Sequence, residues 1–99
     1  MVRKCEEEMV NMIVEDTEDY PNGTTKEWTS RHRGLLHNDE GPARITYSPS
    51  GGVIKEMYYQ SGQLHRVGGP AVLEYYDTWK LKEKKFYERG HLTRNWKTT

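Results

Sequence analysis

Several kinds of residue are scarce in this sequence, and each scarcity excludes a class of protein. The chain of 99 residues has a single cysteine, Cys5, so it cannot form an internal disulfide. No apolar run is long enough for a membrane-spanning helix or a signal peptide. Hydrophobic residues make up only 33%, below the usual share of about 45–50%, in which glycine is counted. We therefore expect a cytoplasmic protein without membrane insertion, a single domain over residues 1–99 with a thin core.

Net charge is also lacking, but the charges are unevenly distributed. The chain carries 15 basic and 15 acidic residues, so its total charge gives no reason to expect a nucleic-acid partner. Residues 1–20 hold two basic and seven acidic residues, a net charge of −5, whereas residues 79–99 hold seven basic and two acidic residues, a net charge of +5. In an elongated fold this polarity favours end-to-end pairing into a homodimer, or presentation of one charged end to a partner. The alternative is that both ends are simply solvated.

What the sequence does contain is an internal 28-residue repeat. The residues that recur at this step are Gly34, Gly62 and Gly90, then Leu36, Leu64 and Leu92, and then His37 and His65. The segment Gly41–Ala43 likewise recurs as Gly69–Ala71. We divide the domain into a degenerate N-terminal cap (1–33), two full repeats (34–61 and 62–89) and a truncated C-terminal repeat (90–99).

Each repeat predicts two strands and two turns. In Ala43–Tyr47, apolar and polar residues alternate with the period of two that is typical of a strand with one buried face, which puts Ala43, Ile45 and Tyr47 inward. The next repeat has the inward set Ala71, Leu73 and Tyr75. The turn Ser48–Gly52 follows, and Val53–Tyr59 and Leu81–Tyr87 are the predicted return strands. The predicted fold class is all-β, a single antiparallel meander of stacked β-hairpins.

The N-terminal cap predicts a weaker version of the same unit. Val10–Asp16 is its first predicted strand, a loop and turn follow, and Thr24–Ser30 is its return strand. Trp28 is expected to replace the aromatic pair of the later return strands, with a slip of one residue in register. An atypical first unit is common in repeat arrays, because a terminal unit must shield the core from water.

The segments GLLHNDEGPA (Gly34–Ala43) and GQLHRVGGPA (Gly62–Ala71) resemble variant MORN-type repeats of bacterial, phage and giant-virus proteins, often written GxLHRxDGPA. The chain departs from that pattern at Asn38, where arginine is usual, and at Gly68, where aspartate is usual. The resemblance covers roughly residues 20–95. It implies a sheet of stacked hairpins with an interaction or scaffold role, and a location in the host cytoplasm if the protein is viral.

No residues have the spacing of a catalytic or metal site. His37 and His65 occupy equivalent repeat positions, and we expect each to bond a backbone group of its own turn rather than a metal ion. Ser48 and Ser50 fall in a predicted turn, and nucleophilic catalysis would need an oriented base beside them. We predict a protein that is not an enzyme, with no catalytic residues, no metal site and no cofactor.

The predicted function is that of a non-enzymatic protein–protein interaction module. The repeat type and small size favour a phage or viral inhibitor that binds the surface of a host enzyme or complex, such as a defence enzyme. The predicted contact surface is the outward face of the return strands together with the hairpin tips, because exposed aromatics and mixed charges make binding hot spots. The predicted binding residues are Trp28, Glu56, Tyr58, Trp79, Lys84, Phe86 and Trp96.

Two alternatives remain open for the function. Basic and aromatic residues interleave over residues 78–97, as in proteins that bind single-stranded nucleic acid by stacking bases while lysines follow the phosphates. The same pattern also fits an edge strand protected by lysines against aggregation. The other alternative is an antitoxin-like or self-assembling repeat protein.

Overall fold

The computed structural model describes residues 13–76 and 80–97, and its regular elements in these ranges are all strands. They are β1 (Ile13–Asp19), β2 (Thr25–His32), β3 (Leu35–Leu36), β4 (Arg44–Tyr47), β5 (Val53–Met57), β6 (Tyr59–Gln60), β7 (Gln63–Leu64), β8 (Val72–Tyr75), β9 (Leu81–Glu88) and β10 (His91–Lys97). No helix in the described ranges is long and apolar enough to cross a membrane.

Eight strands form one open antiparallel sheet, and seven of them follow the order β1-β2-β4-β5-β8-β9-β10. The short β3 pairs with β2, and β6 and β7 form a separate two-stranded sheet. The prediction of an all-β antiparallel meander of hairpins is therefore confirmed. The molecule measures 57 × 37 × 16 Å, and the smallest extent is that of one sheet with its side chains. Within the described residues, neither face of the sheet is covered by a second layer.

The core is correspondingly small. The buried hydrophobic residues of the described ranges are Ala43, Ala71 and Val72, and no large side chain there is fully buried. The aliphatic and aromatic side chains of the central strands are half-buried instead. In such a sheet the side-chain contacts between neighbouring strands carry much of the stability.

The hairpin turns at one end of the sheet recur once in each repeat. Each turn has two central residues at positive φ, as in type I′ hairpin turns. The three pairs are Arg33–Gly34, Ser61–Gly62 and Arg89–Gly90. Successive turns are also tied together. The N–H of Gly62 donates to the carbonyl of Leu36 at 2.8 Å, and the N–H of Gly90 donates to Leu64 at 2.8 Å.

The two repeated histidines reinforce these links. Nδ1 of His37 accepts a hydrogen bond from the N–H of Ser61 at 2.9 Å, and Nδ1 of His65 accepts one from the N–H of Arg89 at 3.0 Å. Each histidine thus bonds a backbone group, as expected, but the group belongs to the next hairpin and not to the histidine's own turn. The reason is the stacking of the hairpins, which brings the following turn alongside the imidazole ring.

Several strands differ in extent from their predictions; β2, for example, ends at His32 and not at Ser30. β1 extends to Asp19, into the segment predicted as a loop, and residues 10–12 of its predicted start lie outside the described residues. The return strand predicted over Val53–Tyr59 is interrupted at Tyr58. The interruption arises because the chain changes pairing partner there, from β8 to the short β7.

The last connection in the sheet is shorter than the equivalent earlier ones. The chain takes equally long paths from Thr29 to its partner Arg44 and from Met57 to its partner Val72. The equivalent path into β10, from Lys85 to its partner Asn95, is clearly shorter. The truncated C-terminal repeat therefore contributes a full edge strand, without the loop that contains the Gly-Pro-Ala segment in the earlier units.

Candidate binding face

Strand register places four of the predicted binding residues in a single row across the sheet. Residues directly opposite each other in an antiparallel sheet point to the same face. From β1 to β10 the row consists of Thr17, Trp28, Ile45, Glu56, Leu73, Lys84 and Trp96. Trp28, Glu56, Lys84 and Trp96 come from four different strands and face the same way.

Tyr58 and Phe86 belong to a second row on this face. Each lies two residues further along its chain than a member of the first row, so its side chain points to the same side. The N–H of Tyr58 donates to the carbonyl of Ala71 at 2.7 Å, and Phe86 lies opposite Arg94. We call this side the aromatic face; its aromatic members are Trp28, Tyr47, Tyr58, Tyr75, Phe86 and Trp96. The remaining predicted residue, Trp79, lies outside the described residues, as does Cys5.

Two expectations about this surface are wrong. Glu56 and Lys84 were expected on an outward face, opposite to an inward set that included Ile45 and Leu73. Ile45 pairs directly with Glu56, and Leu73 with Lys84, so all four share one face. A one-layer sheet has no inside, and polar and apolar residues of different strands therefore meet on the same surface.

The second wrong expectation concerns Trp28. It does not replace the aromatic pair of the later return strands, because pairing with Ile45 puts it at the level of Glu56. Ser30 occupies the level of Tyr58 instead, and its N–H donates to Ala43 at 2.8 Å, as that of Tyr58 donates to Ala71. Trp28 lies 28 residues before Glu56, so the step of the full repeats continues into the first unit without a slip in register.

Cations lie on the aromatic rings towards the β10 side of the face. The guanidinium of Arg66 is 3.9 Å from the centre of the Tyr58 ring, and that of Arg94 is 4.2 Å from the Phe86 ring. The Lys84 ammonium is 5.0 Å from the Trp96 ring. Such stacking is favourable at partly exposed sites, by about 0.5–1 kcal/mol per pair. These pairs place positive charge on the apolar surface itself.

Sequence reasoning missed Arg66 and Arg94 as members of the site. Both stand at the repeat position that Asn38 occupies in the first full unit. Asn38 donates to the carbonyl of Pro42 at 3.0 Å, and Arg66 donates to that of Pro70 at 3.1 Å. The 28-residue spacing from Arg66 to Arg94, each with an aromatic residue eight positions before it, was the signal that could have identified them.

Carboxylates occupy the other half of the aromatic face. Trp28 Nε1 donates to Glu15 at 3.3 Å, and the Tyr75 hydroxyl donates to Glu56 at 2.9 Å. Burial raises the pKa of Tyr75 to about 12, and the hydrogen bond to Glu56 acts in the same direction. The face thus changes from acidic near β1 to basic near β10.

The opposite side of the sheet is held by ion pairs. Arg44 contacts Glu27 at 3.1 Å, and Lys55 contacts Glu74 at 3.6 Å. The hydrogen bond to Glu27 raises the pKa of Arg44 above its ordinary value. Opposite charges are adjacent at these pairs, although Glu27 lies opposite Glu18 and Glu74 lies opposite Glu83. We call this side the charged face.

Two open clefts border the aromatic face, each beside a stacked arginine. The first, of about 460 Å³, is lined by residues that include Asp39, Glu40, Tyr58, His65 and Arg66. The second, of about 350 Å³, lies one unit further along, and its lining includes Arg66, Gly69, Phe86 and Arg94. Both are shallow extensions of the same surface.

The described residues include no group of three or more histidine, cysteine, aspartate or glutamate residues that could hold a metal ion. Ser48 and Ser50, the hydroxyls considered as nucleophiles, bond each other at 2.8 Å inside a hairpin turn. What the geometry offers is a broad, half-exposed surface of mixed aromatic and charged character, which is suited to contact.

In comparisons with known proteins, the chain matches no family model, no curated protein and no solved structure. The resemblance of its Gly-x-Leu-His segments to MORN-type repeats stays a prediction. Any statement of function therefore depends on the geometry of the sheet.

Proposed function

We propose that the protein is a non-enzymatic binding module that docks its aromatic face on the surface of a protein partner. The observation that supports this is the exposure of aromatic side chains from several strands on one face of a one-layer sheet. Trp28, Tyr58 and Phe86 are half-buried, Trp96 is 46% exposed, and the described residues place no second layer over them. Large aromatic side chains on such a surface are the usual centres of binding energy in protein interfaces.

The charges on the face specify the chemistry of the partner. Glu15 lies on the edge strand β1 and Glu56 on the central strand β5, whereas Lys84 and Arg94 lie on β9 and β10. A complementary protein surface has an apolar centre, basic residues against the first half and acidic residues against the second. A uniform polyanion would meet repulsion over the acidic half, which is why a protein partner is favoured over nucleic acid.

In its narrower form, the proposal makes the partner a host enzyme or complex that is inhibited because its surface is covered. This form rests on the resemblance to repeat proteins of phages and viruses. It adds one expectation, that binding lowers the partner's activity without any chemical change in either protein.

Two adjacent residues of β10 provide a matched test. Trp96 belongs to the aromatic face and Lys97 to the charged face, and both are exposed. The immobilised full chain is used to capture proteins from a lysate of the organism in which it acts, and the affinity of each captured protein is then measured by calorimetry. Trp96→Thr should weaken a specific partner by about tenfold or more, as expected for a hot-spot aromatic, while Lys97→Thr should leave the affinity within about threefold. Equal effects of the two substitutions would contradict docking through the aromatic face.

Single-stranded nucleic acid is the second candidate, favoured by the stacked cations near β10. Bases could stack on Phe86 or Trp96, and Lys84 and Arg94 could contact phosphates. Fluorescence anisotropy with a labelled oligonucleotide tests this, because each phosphate contact contributes about 0.7 to the log–log salt slope for single strands. An absence of binding at low salt would exclude this candidate and leave the protein-docking proposal intact.

A further inference from the structure

Both edges of the sheet are long, exposed strands. β1 and β10 are seven residues each, and every residue in them is exposed. They are the two ends of the strand order, so neither has a second neighbouring strand within the described residues. An open edge presents backbone N–H and C=O groups that can pair with a strand of another molecule, and proteins usually protect such edges against pairing.

The two edges carry opposite charges. β1 holds four carboxylates, Glu15, Asp16, Glu18 and Asp19, and no lysine or arginine. β10 holds Arg94 and Lys97 and no carboxylate. Lys26 of β2 contacts Glu18 at 3.7 Å, but both side chains are exposed and the pair offsets only part of the acidity. Two β1 edges would therefore repel each other, as would two β10 edges, while a β1 edge attracts a β10 edge.

The charges match on each face of the sheet separately. On the aromatic face, β1 carries the acidic Glu15 and β10 carries the basic Arg94. On the charged face, β1 carries Asp16 and Glu18, and β10 carries Lys97. A sheet guarded only against aggregation would need charge on its edges but no difference in sign between them. The opposite signs are what a contact between unlike edges requires.

We propose that copies of this protein associate head to tail, with the β1 edge of one copy against the β10 edge of the next. The contact joins two different surfaces, so it does not close into a two-fold dimer and extends into short open arrays. Strand order places Trp28 one strand in from the β1 edge and Trp96 on the β10 edge, so an array with its aromatic faces on one side would present one longer aromatic surface. The proposal does not rest on the docking function, since association of the chain with itself is measured without any other partner.

Sedimentation equilibrium of the full chain tests the proposal over protein concentrations of about 10 μM to 1 mM, a range that reveals weak association. At about 10 mM salt, where screening extends over about 30 Å, the average mass should rise steadily with concentration and exceed that of a dimer. At about 1 M salt, where screening extends over only about 3 Å, the dissociation constant should be at least tenfold higher. A monomer at every concentration in low salt would overturn the proposal.

Charge reversal at each edge provides the sharper test. The acidic-edge variant is Glu15→Lys, Asp16→Lys and Glu18→Lys, and the basic-edge variant is Arg94→Glu, Asn95→Glu and Lys97→Glu. Each alone has two edges of like sign and should sediment as a monomer. An equimolar mixture restores unlike edges and should associate with alternating copies.

Two results of the mixing experiment would refute head-to-tail pairing: association of either variant alone as strong as that of the wild type, or a mixture that stays monomeric. Circular dichroism first checks that each variant keeps the strand content of the wild type. Should a triple variant not fold, the single changes Asp16→Lys and Lys97→Glu replace it. Both residues are exposed, and the same comparison of separate and mixed samples applies.

Discussion

Replacing Ala71 by isoleucine should destabilise the protein, although isoleucine favours strands and alanine does not. Ala71 is 0% exposed, and its neighbours in the row are Tyr58 and Phe86. The gain in strand preference is at most about 1 kcal/mol, whereas overpacking a filled site costs about 1–3 kcal/mol. Because no accessible space remains around the Ala71 methyl group, the second effect should win, with a net loss of about 1–2 kcal/mol.

Thermal unfolding followed by circular dichroism measures this loss. For a domain of this size, each kcal/mol lowers Tm by about 4–8 °C, so the expected decrease is about 4–16 °C. Thr17→Ile is the matched control, because Thr17 lies on the same face in an edge strand and is exposed; it should leave Tm unchanged or raise it slightly. If Ala71→Ile raised Tm as well, the account of Ala71 as a filled site between Tyr58 and Phe86 would be wrong.

A double-mutant cycle identifies the neighbour responsible. In a Phe86→Ala background the ring beside Ala71 is gone, so Ala71→Ile should cost less than in the wild type. The coupling free energy should be on the order of 1 kcal/mol, as for residues in contact. Strict additivity of the two substitutions would show that the two side chains do not compete for space.

Three further predictions concern the hairpin turns, the Tyr75 hydroxyl and the hydrogen bond of His65. Gly34→Ala and Gly62→Ala each place a Cβ at positive φ, and each should lower the free energy of unfolding in urea by about 1–2 kcal/mol. Gly62→Ala should cost more, because its Cβ would lie 3.3 Å from the Leu35 side chain, whereas nothing lies within 4 Å of a Cβ at Gly34. The pKa of Tyr75 is raised from 10.0 to about 12, which means that the folded state favours the neutral phenol. The contribution of this group to stability is therefore present below pH 10 and is lost as the pH rises towards 12. Tyr75→Phe should remove the step at highest pH from the tyrosinate absorbance titration. His65→Ala removes the acceptor for the N–H of Arg89 in the next turn. It should lower the free energy of unfolding by about 0.5–1.5 kcal/mol and speed hydrogen exchange of the Arg89 amide. Unchanged exchange of that amide would argue against the link between hairpins.

Much of the fold could be predicted from the sequence because the signals are local. The alternation in Ala43–Tyr47 and the glycines at the turns depend only on neighbouring residues, and both appear in the structure as β4 and as turns with positive φ. The extent of β1 and the break at Tyr58 could not be predicted in this way. They depend on which strand pairs with which, and that is decided by contacts far apart in the chain.

The candidate site shows the same division. The chemical character of Trp28, Lys84 and Trp96 was readable from the sequence. Trp28 and Lys84 are two 28-residue steps apart, so the repeat also indicated their common face, whereas the position of Trp96 follows from the register between β9 and β10. Arg66 was overlooked because its role depends on contact with Tyr58, eight residues earlier, across a hairpin. Whether the aromatic face is where a partner binds stays a prediction.

The shortened last connection, from Lys85 to Asn95, has a consequence for the size of the surface. Each complete repeat contributes two strands to the main sheet, which corresponds to about 9–10 Å along the row. Insertion or loss of one repeat before the short connection would change the width of the aromatic face across the strands by that amount. The acidic β1 edge and the basic β10 edge would stay the same. Proteins built on this plan could therefore match partners of different width by whole units, in discrete increments, without redesign of either end.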